Sequence, residues 1–176
     1  MFWLKFISKF IKVLRAGESP GLIAGGFTMG FVVGLTPFWT LQNIVILIIA
    51  ILTKVNLSAV FFSIFLFSFV AYLFDPFFHN LGYFLLAQVE VLNGLWTALY
   101  NMPIAPFTRF YNTIVAGSFL TALILVFPVY ILGKSGIVAY RKTLAPKVEN
   151  SKFIKAVKGS GLYKWYARIR DMEWTS

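Results

Sequence analysis

Gly34-Leu35-Thr36-Pro37-Phe38-Trp39-Thr40-Leu41-Gln42-Asn43 places a proline, two threonines, a glutamine and an asparagine inside the longest uncharged run of the chain. No Asp, Glu, Lys, Arg or His occurs from Ser19 to Thr53, and these 35 residues would make roughly 50 Å of continuous helix. A hydrocarbon core is about 30 Å thick, so a single straight helix does not fit the run. Broken at Pro37, it becomes two short apolar helices, Pro20 to Thr36 and Leu41 to Thr53, neither long enough to cross comfortably alone. The pattern predicts a proline-broken hairpin, re-entrant or simply short, that enters and leaves on one side of a membrane. Non-helical backbone at membrane depth survives only where protein or water covers it. Thr36, Thr40, Gln42 and Asn43 are able to supply the hydrogen bonds that a break at Gly34 to Pro37 leaves unmade. These six positions form the candidate buried polar break.

Composition points to the same solvent. Of 176 residues, 59% are hydrophobic and only 12% charged, with a mean hydropathy of +0.80, which excludes an ordinary soluble domain. Two more uncharged runs, Leu57 to Phe74 and Thr113 to Gly133, are each long enough to cross once. The expected fold class is therefore an all-α integral membrane protein: the hairpin, two full transmembrane helices and amphipathic helices at both termini.

The net charge of +10 is concentrated in the two ends. Lys5, Lys9, Lys12 and Arg15 face only Glu18 in residues 1–18, and nine basic residues face three acidic ones in residues 141–176. Basic ends beside apolar spans predict both termini in the cytoplasm and an even number of crossings of the cytoplasmic (inner) membrane, rather than nucleic-acid binding. Three regions follow: 1–18, a basic interfacial helix whose lysines interrupt any signal-peptide core; 19–140, the membrane domain; and 141–176, a basic tail with an apolar stripe at Leu162, Trp165, Tyr166, Ile169 and Met172.

Local signals place the helix ends. Ser19 reads as an N-cap before Pro20, and Asn56 as another before Leu57, after the turn at Lys54. Gly26, Gly30 and Gly34, spaced by four, form a small-residue face for close helix packing. Asp75-Pro76 reads as a helix stop, with Asp75 capping the next helix, and the mixed residues from Pro76 to Phe107 read as an interfacial arm. Ile23-Ala24-Gly25-Gly26-Phe27 resembles Val115-Ala116-Gly117-Ser118-Phe119, and each is followed by a proline, Pro37 or Pro128. Inverted repeats of broken helices occur in transporters, but three matches among five small apolar residues is a level that chance supplies.

Catalytic chemistry is sparse. The absence of cysteine removes thiolate catalysis and thiolate metal sites, and His79 is the only histidine. Gly133-Lys134-Ser135 lacks the earlier glycine of a phosphate loop, since Pro128 stands in its place. Asp75 and His79, at i and i+4, and Arg109 are the candidates for a lipid-headgroup or proton site. No nucleophile with a base can be read, so neither enzyme activity, cofactor nor metal is expected.

Gly34, Pro37 and Gln42 resemble the Gly-x-x-Pro-x-x-Gly-x-Gln pattern of the domain of unknown function 2062 family, and Lys54-Val55-Asn56 resembles its basic-x-Asn turn. Thr40 stands where that pattern has glycine, and Asp75-Pro76 where Asn-Pro is common. The resemblance covers about residues 19–133 and implies a small membrane protein of the bacterial cytoplasmic membrane. Two functional readings follow: a non-enzymatic component of lipid handling or transport, alone or with another membrane or lipid-transfer protein; or a scaffold that recruits a partner, or a second copy, through its glycine face, aromatic helices or tail.

Overall fold

The computed structural model describes residues 18–144, so the terminal amphipathic helices expected in 1–18 and 141–176 fall almost wholly outside the described residues. Among the described residues five α-helices follow one another: α1 Pro20–Leu35, α2 Leu41–Leu52, α3 Leu57–Tyr83, α4 Asn93–Tyr100 and α5 Thr113–Ala139. Short π-helical and 3-10 turns at Phe84–Gln88, Glu90–Leu92 and Ala105–Thr108 complete the arm between α3 and α5. Among the described residues there is no strand. Both α3 and α5 are long and apolar enough to cross a membrane.

The chain divides into two units after Ile137. In the second, the described residues are the end of α5 and a π-helical turn at Tyr140–Leu144, where Thr143 Oγ1 donates to the Ala139 carbonyl at 2.6 Å. The first unit carries the candidate site.

Ser19 starts α1 as expected, its Oγ accepting from the Leu22 N–H at 3.2 Å, with Pro20 at the first helical position. Ile23, Ala24, Phe31, Val32, Val33 and Leu35 are all buried, so this helix, apolar on every side, lies at the centre of the packing. Its glycine face receives α3. A Cβ on Gly26 would stand 2.5 Å from the Asn56 carbonyl, one on Gly34 2.9 Å from that of Ile64, and one on Gly30 would run into the Val60 carbonyl. Contacts that advance together along both helices make α1 and α3 parallel. That direction is available only because α2 carries the chain back.

A second pair of glycines, which the sequence reading did not single out, joins α3 to α5. Any side chain on Gly82 would strike the Thr113 carbonyl, and one on Gly117 the Phe78 carbonyl, so these two helices run antiparallel. Gly133, near the end of α5, lies beside Ala24. Phe31, Val32, Leu35, Phe78 and Ala122 form the apolar core between the three helices, with Phe67 packed edge-on to Phe31 at 4.7 Å.

The start of α1 and the α2–α3 turn are tied by one residue. Asn56 Oδ1 accepts from the Ala59 N–H at 2.8 Å, its Nδ2 donates to Glu18 Oε2 at 2.6 Å, and its own N–H donates to the Leu22 carbonyl at 3.3 Å. Asn56→Ala is expected to cost about 1–2 kcal/mol, the loss of a cap plus a charge-assisted bond. Asn56→Asp keeps the cap but opposes a carboxylate to Glu18, so its thermal midpoint in mild detergent should fall between those of the parent and the alanine variant.

Three expectations are corrected. Asp75 caps nothing: α3 continues through Pro76 to Tyr83, and Asp75 sits inside it. Leu73, Phe74, Phe77 and Phe78 offer the backbone no alternative partners, so losing one helix bond to Pro76 costs less than ending the helix there. The long helices consequently end later than Phe74 and Gly133, at Tyr83 and Ala139. The internal likeness also stops short of its prolines, since Pro37 follows the end of α1 whereas Pro128 lies within α5.

Candidate functional site

The break between α1 and α2 is built around Asn43, which is 1% exposed. Pro37 has no N–H, so the Val33 carbonyl, four residues earlier, loses the donor that a continuing helix would provide. Thr36 Oγ1, at 3.4 Å, and Asn43 Nδ2, at 3.5 Å, face that carbonyl instead, and Asn43 Nδ2 donates more closely to the Pro37 carbonyl at 3.0 Å and to that of Phe38 at 3.3 Å. Asn43 Oδ1 faces the other way and accepts from Thr36 Oγ1 at 2.7 Å, with the Val32 carbonyl a second acceptor for that hydroxyl at 3.0 Å. Thr40 Oγ1 donates to the Pro37 carbonyl at 3.3 Å. Carbonyls accept only, so this surrounding determines which end of the amide points where. Thr36 and Thr40 are buried like Asn43, and all three hold α2 against the end of α1.

Gln42 departs from the reading that grouped it with Asn43. Its Oε1 is buried and has no hydrogen-bond partner among the described residues, a state it shares with Ser63 Oγ. Adjacent positions on a helix point about 100° apart, and only Asn43 faces back toward the α1 carbonyls. Gly34, the remaining member of the break, serves the contact with α3.

Two hollows flank the turn. One, of about 330 Å³, lies between it and α3 and is lined by Thr36, Pro37, Ser68, Tyr72, Asp75 and Ile114 among others. The other, of about 490 Å³, lies between Trp39, Thr40, Leu41 and Ile44 on one side and Pro106, Phe107, Arg109 and Tyr111 of the arm on the other. The arm therefore folds back beside the turn that the sequence requires something to cover.

The three titratable candidates are not assembled into one site. Asp75 belongs to the first hollow and Arg109 to the second. His79 is exposed, its Nδ1 lies 2.7 Å from Thr113 Oγ1 and its ring stacks on Tyr83, so it ties α3 to the start of α5. Helical spacing brought Asp75 and His79 onto one face of α3, but the neighbour on that face at His79 is α5.

These features define a small all-helical protein in which two short helices, joined by a polar knot, pack with two long apolar helices. Three of its buried polar side chains, those of Thr36, Thr40 and Asn43, gather at a break in the backbone. The chain belongs to the family described as "Uncharacterized protein conserved in bacteria (DUF2062)", which it matches over residues 5–144. The match reaches beyond the 19–133 stretch that carried the resemblance, in both directions. The chain is also 26% identical over 161 residues to an "Uncharacterized protein" of Treponema pallidum (strain Nichols), covering 92% of this chain and 99% of that one. No solved structure matches it.

Proposed function

We propose that this protein is a multi-pass component of the bacterial cytoplasmic membrane, with both termini cytoplasmic, that takes a non-enzymatic part in lipid handling or transport. The observation that carries the reading is a polar notch in an apolar exterior. Tyr72, Leu73, Phe127 and Leu132 are more than two-thirds exposed on the long helices, a surface that lipid tolerates and water does not. Within it, the hollow at Thr36, Pro37, Ser68 and Asp75 offers a lipid headgroup polar partners beside the end of the hairpin. Lys54 and Lys134 lie towards the end of the packing where α1 begins and Arg109 lies away from it, a two-to-one excess of basic residues that supports that end as the cytoplasmic one.

The hairpin is read as re-entrant. At 16 residues α1 is about 24 Å long, and the turn lies against Ser68 to Asp75, short of the end of α3 at Tyr83. Since the parent lacks cysteine, single cysteines test this depth. A membrane-impermeant maleimide is expected to reach Val91→Cys, in the arm, from outside, Lys54→Cys only from inside, and Phe38→Cys from neither. Labelling at residue 38 as fast as at residue 91 makes the hairpin a full one with its turn among the headgroups.

Purified protein in liposomes should accelerate movement of a fluorescent phospholipid between leaflets. The absence of any movement, with stable co-purification of another membrane subunit, favours the scaffold. Against that alternative stands the glycine face of α1, which is already filled by α3.

A further inference from the structure

The second hollow has a composition the first lacks. Arg109 is the only charged residue in its lining, and the only charge between Glu90 and Lys134. Trp39, Phe107 and Tyr111 surround it with aromatic rings, and Trp39 is 74% exposed. No carboxylate shares the space. The Arg109 backbone is left-handed, at φ 55°, which disfavours any residue with a side chain. It is held there by its N–H donating to the Pro106 carbonyl and by the Asn112 N–H donating to its own carbonyl, each at 2.9 Å. A backbone conformation of this kind is retained only where the surrounding turn demands it.

From the hollow an apolar stripe descends α2. Ile44, Ile48 and Leu52, spaced by four, are exposed along one face of the helix. Cation, aromatic rings and apolar stripe thus follow one another in the order of a phospholipid's own parts: phosphate, interface, acyl chain. We infer that this hollow seats one phospholipid, with the Arg109 guanidinium donating paired N–H groups to its phosphodiester oxygens. Trp39 and Tyr111, which line the same hollow, flank the lipid's ester groups. One acyl chain lies along Ile44, Ile48 and Leu52. The seat rests on the membrane placement proposed above but not on lipid movement.

Native mass spectrometry of the full chain, released from detergent loaded with dioleoylphosphatidylglycerol, dioleoylglycerol or inorganic phosphate, tests the seat. The phospholipid should be retained and the diacylglycerol lost, a comparison that needs no variant. Arg109→Asn, which removes the cation but suits the left-handed backbone, should weaken retention about tenfold or more, the worth of a charge-assisted pair. Arg109→Lys, which keeps the charge but not the paired donors, should restore only part of it. Equal retention of diacylglycerol, retention unchanged in the asparagine variant, or inorganic phosphate bound as tightly as the phospholipid each overturns the proposal. Retention lost in Arg109→Asn while leaflet-to-leaflet movement in liposomes persists supports the seat and separates it from transport. Phospholipid retained through Arg109 by a protein that moves no lipid leaves the seat standing and removes only the transport reading.

Discussion

Asn43→Leu is expected to lower stability by roughly 1–3 kcal/mol, because the Val33, Pro37 and Phe38 carbonyls then keep only Thr36 Oγ1, Thr40 Oγ1 and the Thr40 N–H. The leucine fits the volume but donates nothing to the Pro37, Phe38 and Val33 carbonyls and accepts nothing from Thr36. Around the Val33 carbonyl and the Thr36 hydroxyl water cannot readily substitute, because Val33, Thr36, Thr40 and Asn43 are all buried, whereas Pro37 and Phe38 are exposed. Gln42→Leu provides the contrast. Its Oε1 already lacks a partner among the described residues, so removing the amide costs little and relieves an unpaired acceptor. Thermal unfolding of both variants in mild detergent decides the matter: a glutamine variant as damaged as the asparagine variant means that the two amides act together after all.

Gly30→Ala and Gly117→Ala should each destabilise by about 1–3 kcal/mol or more, the cost of forcing volume into a contact with no room. The atoms in the way are backbone carbonyls, of Val60 for the first and Phe78 for the second, which cannot rotate aside as a side chain does. The helices must therefore separate along their length, loosening the Phe31, Leu35 and Phe78 core that joins α1, α3 and α5. Gly94→Ala, where an added Cβ meets nothing within 4 Å, should be neutral or slightly stabilising. Equal melting of the Gly30, Gly117 and Gly94 variants refutes the close-packed contacts.

Much of the fold was legible because the signals were local. As caps, Ser19 and Asn56 act within three residues of their own positions, and Pro37 denies a partner to a carbonyl four residues back. The Gly26, Gly30 and Gly34 face was visible as a spacing, although its partner was not. Other features depended on contacts between distant segments. Gly82 and Gly117 carry no periodic signature, and their role appears only when α3 and α5 are brought together. The misreading at Asp75-Pro76 came from applying the behaviour of proline in water to a helix with apolar residues on both sides. Among the six residues of the break, residue type alone did not separate Asn43 from Gln42, because the difference lies in which way each points from the first turn of α2.

The order in which the chain emerges during synthesis gives the Asn43 knot a further meaning. The central helix α1 is made first, yet the helices that cover it, α3 and α5, arrive later. Until then its glycine face has no occupant. The knot is different, since every bond in it joins residues no more than ten positions apart. The hairpin can therefore close its polar backbone as soon as residue 43 has followed residue 33 out of the ribosome, long before its apolar faces are matched. A nascent chain held at that stage already carries its most expensive groups paired, and only greasy surface waits for a companion.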